Sequence, residues 1–237
     1  MKVRLNRFLA QAGVASRRKA DEMLREGRVK VNGEVARVGQ VVDPDRDEVF
    51  VDGRPVHIKR SFSYIILNKP PGVVVSKDDP FDRPTIFDLG LPRDLFYVGR
   101  LDMDSEGLLL LTDDGQLAHR LMHPRYEVEK VYRVWVDGEP EESSLKALRH
   151  GVPLEDGLTS PAEVKVLGKW RKGTVLEVTI HEGRKRQIKR MFSYVGHPVR
   201  RLVRVRFAGI PLDGLEPGRW RRLGEEEVRR LKSSVGL

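Results

Sequence analysis

Cysteine is absent from this sequence of 237 residues. Its absence excludes disulfide bonds, zinc sites built from thiolates and cysteine nucleophiles, and it is typical of a reducing compartment. Long hydrophobic runs are lacking as well, since the leucine block at residues 108–111 is far shorter than the roughly 20 apolar residues of a membrane-spanning helix. The first residues contain no apolar signal core. We therefore expect a cytoplasmic protein with no membrane partner.

Basic residues outnumber acidic ones. The chain has 44 Lys and Arg against 35 Asp and Glu, a formal net charge of +9. An excess of this sign favours a polyanion such as nucleic acid as the partner, although an unspecific basic surface has the same composition. Hydrophobic residues, at 39%, suffice for a core. The length suits one large domain or two modest ones.

The first 55 residues predict a helix-helix-hairpin unit. Leu5, Phe8 and Leu9 have the spacing of one helix face. Ser16 is placed to cap a second helix, and Asn32-Gly33 is a strong hairpin signal. A second hairpin is predicted at Asp52-Gly53. We predict a domain at residues 1–60 and a second domain at residues 61–237, with a polar linker at residues 57–62.

Cations crowd the start of the second predicted helix. Arg17, Arg18 and Lys19 lie in its first turn, where the helix dipole opposes positive charge. A phosphate partner would compensate for this cost, and a solvated helix face explains the charges equally well. The segment from Arg4-Leu5 to Val31-Asn32-Gly33 resembles the S4 RNA-binding module. That resemblance implies RNA contacts at Ser16, Arg17, Arg18, Arg28 and Lys30.

The remaining pattern is rich in strands with few helices, which indicates an α+β domain. Alternating or continuous apolar residues predict strands, and apolar residues at helical spacing predict helices. The predicted strands lie at residues 64–67, 73–75, 129–136, 162–167, 174–181 and 199–207, and the predicted helices at 86–89, 140–150 and 224–233. The basic run at residues 182–192 opens a further helix, which Gly196 closes.

The stretch at residues 99–115 runs from a charged loop into the leucine block and ends in an Asp-Gly turn. The leucine block predicts a buried strand. Asp102 precedes this strand, with Arg100 two residues earlier. A carboxylate beside a guanidinium can be held ionised and aimed at a substrate. Carboxylates in such loops also cap helices or close turns, so the residue types alone leave both roles open.

This stretch closely resembles the signature of the RsuA/RluB-type ribosomal RNA pseudouridine synthases. The match includes Gly99-Arg100-Leu101-Asp102, residues 105–112 and Asp114-Gly115. Three further segments resemble motifs of the same family in the expected order: Asn68-Lys69-Pro70-Pro71-Gly72, Lys130-x-Tyr132, and Glu182-Gly183-Arg184 continuing through residues 186–192.

The resemblance implies a mixed, mainly antiparallel sheet with helices around it and an RNA cleft. It also implies isomerisation of uridine to pseudouridine without a cofactor, in ribosomal RNA and more specifically in that of the large subunit. Asp102 would be the catalytic residue and Lys189 its basic partner. Tyr132, which on its own is either a core aromatic or a pocket ring, would pack on the target base. Leu202 would line the uracil pocket, Arg100 would hold the place of the flipped nucleotide, and phosphates would contact Arg184, Lys185, Arg186 and Arg190. We expect a monomer.

Three alternatives remain open at this point. The first is a small-subunit rRNA pseudouridine synthase. The second is a metal-dependent nuclease, because oxygen ligands suit magnesium; its ligands would be Asp102, Asp104, Asp113 and Asp114. The third is a noncatalytic rRNA-binding assembly factor. His119 and His123 have helical spacing for zinc, but no third ligand is evident nearby, so we expect no metal site.

Overall fold

The computed structural model describes residues 2–58 and 61–237. The chain divides into two compact units. The first ends at Ser63 and also takes in Asp113–Gly115, and the second consists of Tyr64–Thr112 and Gln116–Leu237. Residues 59 and 60 lie outside the described residues. The predicted linker includes them, and the predicted domain boundary directly follows residue 60. That boundary stays a prediction.

The first unit is built from two helices and short strands. Its helices are α1 (Leu5–Gln11) and α2 (Arg17–Arg25). Its strands are β1 (Val3–Arg4), β2 (Val29–Val31), β3 (Glu34–Val35), β4 (Val41–Val42), β5 (Val49–Val51) and β6 (Arg54–Val56). Strands β3, β2, β5 and β6 form a sheet in that order, and β1 pairs with β4.

Turn chemistry sets both hairpins of this unit. Asn32 and Gly33 have φ of 51° and 88°, and Asp52 and Gly53 have φ of 49° and 77°. Two successive positive φ values are what a tight hairpin turn of the I′ type requires. Ser16 caps α2 by accepting from the backbone N–H of Lys19 at 3.3 Å. The predicted helix-helix-hairpin order is therefore confirmed.

The second unit is organised on one large sheet. Its strands are β7 (Tyr64–Lys69), β8 (Phe96–Val98), β9 (Glu106–Thr112), β10 (Lys130–Asp137), β11 (Pro153–Leu154), β12 (Gly157–Leu158), β13 (Glu163–Trp170), β14 (Gly173–Ile180), β15 (Val199–Phe207), β16 (Ile210–Pro211) and β17 (Trp220–Arg222). Its helices are α3 (Gly115–Met122), α4 (Glu142–His150), α5 (Gln187–Tyr194) and α6 (Glu225–Ser233), with 3₁₀ helices at Ile86–Leu89 and Pro124–Tyr126.

Nine of these strands form the sheet, in the order β13-β14-β10-β15-β9-β7-β17, with β16 added to β15 and β8 to β9. The pairing of β15 with β9 is parallel. The other strand pairings of this sheet in the described residues are antiparallel. The predicted α+β class with a mixed, mainly antiparallel sheet is confirmed.

The leucine block lies at the centre of this sheet and is buried on both faces. Leu109 and Leu111 belong to a core with Ile188 and Phe192 of α5. Leu108 and Leu110 belong to a second core on the opposite face, together with residues of α3 and α6. A strand covered on both faces reads as a continuous apolar run rather than an alternating one, which explains the four consecutive leucines.

The strand predicted at residues 73–75 is wrong. Val73 and Val75 are buried in the core, but Val74 forms an isolated bridge with Thr85. Nearby Pro84 has no backbone N–H and contributes its carbonyl oxygen, which accepts from Val74. The apolar run at residues 73–75 therefore marks a buried loop and not a strand. In the part of the chain that the structure describes, no helix has the length and apolarity needed to cross a membrane.

Candidate active site

A pocket of about 420 Å³ opens in the second unit. Asp102, Tyr132 and Leu202 all line it, as does Arg100. These residues come from separate segments: the β8–β9 loop supplies Asp102 and Arg100, β10 supplies Tyr132, and β15 supplies Leu202. The sheet thus brings together the residues that the motifs singled out at distant positions of the chain.

Several contacts fix the loop that carries Asp102. The loop joins the antiparallel strands β8 and β9. Leu101 turns into the core and is 7% exposed. The backbone N–H of Ser105 donates to the backbone carbonyl of Asp102 at 3.0 Å, closing a turn over residues 102–105. Asp102 itself remains about one third exposed, so its carboxylate is accessible from the pocket.

The Asn-Lys-Pro-Pro-Gly segment holds this loop from the other side. The Lys69 Nζ donates to the carbonyl of Met103 at 3.2 Å, and the Gly72 N–H donates to the same oxygen at 2.8 Å. Lys69 also donates to the Pro70 carbonyl at 2.8 Å. Met103 directly follows Asp102, so two donors from this segment position the backbone next to the candidate catalytic residue. Sequence reasoning assigned Lys69 no site role.

Lys69 is completely buried. Burial lowers the pKa of its ammonium group to about 8, although the carboxylates of Asp104, Glu106 and Asp102 act in the opposite direction. Removing a charged amine from water disfavours its protonated form, and the nearby carboxylates offset only part of that cost.

The depressed pKa of Lys69 predicts a stability that rises with pH. Its folded pKa lies below that of the unfolded chain, so above about pH 8 the unfolded state binds more protons and the free energy of unfolding increases. We expect Lys69→Met to reduce this rise by up to about 3 kcal/mol between about pH 7.5 and about pH 10. Urea unfolding at both pH values measures it.

The control for this prediction is Lys165→Met. Lys165 is two thirds exposed, so its replacement is expected to leave the pH dependence of the wild type intact. Equal slopes for the wild type and Lys69→Met would contradict the assignment of the titration to Lys69.

Lys189 lies between two carboxylates. Its Nζ is 3.9 Å from Oδ2 of Asp102 and donates to Oδ1 of Asp104 at 2.5 Å. Burial alone would raise the pKa of Asp104, but the hydrogen bond and charge of Lys189 outweigh it, so that this pKa lies below its usual range. The hydrogen bond of Lys189 therefore goes to Asp104, while Oδ2 of Asp102 lies at ion-pair distance from the same ammonium group. Sequence reasoning considered Asp104 only as a metal ligand.

Tyr132 and Leu202 are both core and pocket residues. Tyr132 is 8% exposed, belongs to the main core and also lines the pocket. It is therefore both a core aromatic and a pocket ring, the two roles that its sequence pattern left open. Leu202 pairs with Val134, two residues along β10 from Tyr132. Side chains two residues apart on one strand share a face, which places Leu202 on the Tyr132 side of the sheet.

Comparison with known proteins shows the family to which this chain belongs. A family model described as RNA pseudouridylate synthase matches residues 63–194. The chain belongs to this family. A model of the S4 domain matches residues 3–49. The resemblance drawn from the motifs, and with it the isomerase class, is confirmed.

Individual members of the family align over nearly the whole chain. An RNA pseudouridine synthase of Aquifex aeolicus (strain VF5) is 48% identical, with 100% of this chain and 96% of that protein covered. The ribosomal large subunit pseudouridine synthase B of Bacillus subtilis (strain 168) is 43% identical, with 97% and 96% covered. A crystal structure of a pseudouridylate synthase has a TM-score of 0.70 at 36% identity, covering 97% of this chain and 99% of that one.

The basic residues near the pocket of this pseudouridine synthase differ in whether they already bind acceptors within the protein. Arg184 donates to the carbonyls of Gly157 and Leu158 and to the Glu182 carboxylate, and Arg190 makes a two-pronged contact with Asp156. Both side chains were predicted to hold phosphates, and both would have to exchange these partners to do so. Arg186 lies 3.8 Å from Asp104. Lys185 and Arg100 are exposed and make no ion pair in the described part of the chain.

In the S4 unit, too, some of the predicted RNA contacts are bound within the protein and others are not. Ser16 is the cap of α2, and Arg28 binds both oxygens of Asp52. Arg17, Arg18 and Lys30 are exposed, with no ion pair to another described residue. Among the five predicted RNA contacts, these three therefore have their charge available to a ligand.

The histidines and carboxylates considered as metal ligands lie in separate places in this synthase. Within residues 2–58 and 61–237, no group of three or more His, Cys, Asp or Glu side chains is arranged to hold a metal ion. The rings of His119 and His123 have centroids 5.5 Å apart, without a third ligand in the same range. The four carboxylates of the nuclease alternative, Asp102, Asp104, Asp113 and Asp114, are therefore not gathered into such a group.

Proposed function

We propose that this protein isomerises a uridine of large-subunit ribosomal RNA to pseudouridine, with Asp102 as the reacting carboxylate. The observation that carries the proposal is the convergence of Asp102, Tyr132 and Leu202 on one pocket, with Lys189 at ion-pair distance from the carboxylate. The choice of rRNA subunit is supported by the 43% identity to the large-subunit enzyme of Bacillus subtilis.

The reaction requires few participants. The N1–C1′ bond breaks, the uracil turns, and a C5–C1′ bond forms, after which C5 loses a proton and N1 gains one. Asp102 either attacks C1′ or takes the proton from C2′, and both routes need an ionised carboxylate beside the ribose. The ammonium group of Lys189 stabilises that charge, while Tyr132 and Leu202 enclose the base. No oxidation or net hydrolysis takes place, so the chemistry calls for no cofactor.

The target uridine has to leave its base stack to enter the pocket. Extrusion costs a few kcal/mol, which contacts to the RNA backbone must offset. In this proposal the available cations of the S4 unit, Arg17, Arg18 and Lys30, bind phosphates, as does Lys185 beside the pocket. Arg100, which also lines the pocket, holds the place that the flipped nucleotide leaves in the RNA. Phosphate contacts of this kind release counterions, so RNA binding weakens steeply as salt is raised.

The test uses the full chain and unmodified transcripts of large- and small-subunit rRNA. Pseudouridine is mapped by carbodiimide labelling and reverse transcription after incubation with the protein. We expect new pseudouridine at a defined position of the large-subunit transcript. A parallel reaction with EDTA is scored for strand cleavage, because a metal-dependent nuclease would cut the RNA only without the chelator.

Each outcome decides one part of the proposal. Modification of the small-subunit transcript alone would overturn the subunit assignment and favour the small-subunit alternative. Unmodified uridines in both transcripts, and also in assembled subunits, would overturn the rRNA assignment.

A further inference from the structure

Positive charge dominates the lining of the pocket. Among the described residues, its acidic side chains are Glu182 and Asp102, and six Lys or Arg side chains line the same pocket. The six are Arg100, Lys130, Arg184, Lys185, Arg186 and Arg204. The resemblance and the proposed function give roles to four of these. Lys130 belongs to the Lys130-x-Tyr132 motif but has no role yet, and Arg204 lies outside the motifs.

Arg204 is a buried cation without a carboxylate partner. It is 2% exposed, and its Nε donates to the carbonyl of Leu108 at 2.7 Å. Its Nη2 is buried and has no hydrogen-bond acceptor among the described residues. The guanidinium lies against the ring of Phe207, 5.0 Å from the centroid. Burying a charged guanidinium without an anionic partner is costly, and a bound anionic ligand would offset that cost.

Lys130 repeats this arrangement on the neighbouring strand. Its Nζ donates to the carbonyls of Val128 at 2.8 Å and His181 at 3.3 Å, and it forms no ion pair with a described carboxylate. Burial, reinforced by the charge of Arg204, lowers the pKa of Lys130 to about 8. Glu182 acts in the opposite direction, but its oxygens already accept from Ser160, Arg184 and Gln187.

The sheet places both cations beside the candidate base-binding residues. Arg204 is the cross-strand partner of Tyr132 in the pairing of β15 with β10, and Lys130 precedes Tyr132 by two residues. Both cations line the pocket that contains Asp102. Two cations that repel each other at this position favour an anionic ligand between them.

We propose that Lys130 and Arg204 form an anion site within the pocket that binds a phosphate group flanking the target uridine. This inference rests on the proposed function, because it takes the ligand to be a nucleotide of RNA. A phosphate group accepts charge-assisted hydrogen bonds from both residues and offsets their mutual repulsion. A uracil carbonyl, which carries no net charge, would leave that repulsion in place.

The test compares nucleotides that differ only in the phosphate. Binding of uridine, uridine 5′-monophosphate and uridine 3′-monophosphate to the full chain is measured by titration in NMR. We expect at least one of the two monophosphates to bind about tenfold more tightly than uridine. Arg204→Gln and Lys130→Gln are each expected to remove most of that gain while leaving the affinity for uridine within about twofold.

The matched control is Arg206→Gln. Arg206 lies on the same strand as Arg204, but its side chain is about half exposed and does not line the pocket. This variant is expected to retain the full advantage of the monophosphate. A loss equal to that in Arg204→Gln would show a general effect of charge and overturn the site, as would monophosphates that bind no better than uridine to the wild type.

A second measurement uses the wild-type protein, so it holds even where a buried substitution impairs folding. The ¹³Cε signal of Lys130 is followed with pH, with and without the preferred monophosphate. A bound phosphate is expected to raise the pKa of Lys130, and an unchanged titration at saturating nucleotide would overturn the site. Neither readout needs turnover, so phosphate-dependent binding without any pseudouridine in the rRNA assay would contradict the proposed function alone.

Discussion

Replacing Asp102 with asparagine is expected to reduce pseudouridine formation by about 10³-fold or more, because the amide can neither attack C1′ nor accept a proton from C2′. The side chain is nearly isosteric and about one third exposed, and its ion pair with Lys189 spans 3.9 Å. The free energy of unfolding is therefore expected to change by less than about 1 kcal/mol. The measurements are single-turnover conversion of the mapped transcript, RNA affinity and a urea unfolding curve.

Asp104→Asn is the matched control for this prediction. Asp104 lies in the same loop, and its carboxylate accepts the hydrogen bond of Lys189. Its loss removes an ion pair beside the site but no reacting atom, so we expect the rate to stay within about tenfold of the wild type. Comparable losses in both variants would contradict a special role of Asp102 and assign the effect to the ion pairs of the loop.

Local chemistry made the S4 unit predictable from its sequence. Asn32-Gly33 and Asp52-Gly53 adopt positive φ at both positions, and this preference is intrinsic to the residue types. Ser16 likewise caps α2 through atoms of its own neighbourhood. Such features depend on a few consecutive residues, so the order of helices and hairpins follows without knowledge of the rest of the chain.

The hydrogen bonds that hold the candidate site in place join residues that lie far apart in the chain. The motifs named Asp102, Tyr132 and Leu202, and the structure brings these three to one pocket. The hydrogen bond from Lys189 to Asp104 joins residues 85 positions apart, and Lys69 reaches Met103 across 34 positions. No periodicity encodes such pairs, because the strand order that creates them is a property of the whole sheet. A lysine beside two prolines reads locally as part of a loop, which is why its burial was missed.

Gly107 shows how closely the sheet is packed beneath the site. It lies on β9, opposite Arg204 in the parallel pairing with β15. A Cβ at this position would overlap the carbonyl oxygen of Arg204 and lie 2.7 Å from its nitrogen. Its φ of 103° is also unfavourable for any residue with a side chain. Glycine therefore allows the two strands to approach at the position of Arg204.

Gly107→Ala is accordingly expected to destabilise the protein by about 3 kcal/mol or more, because the new methyl group meets backbone that cannot move without separating β9 from β15. Urea unfolding measures the loss. Gly99→Ala is the control: Gly99 lies in the loop before β9 and also has a positive φ, of 74°, but no atom lies within 4 Å of its Cβ position. It should cost only the strain of a left-handed backbone, about 1–2 kcal/mol. Equal losses would mean that backbone conformation, and not the contact between the strands, requires glycine at position 107.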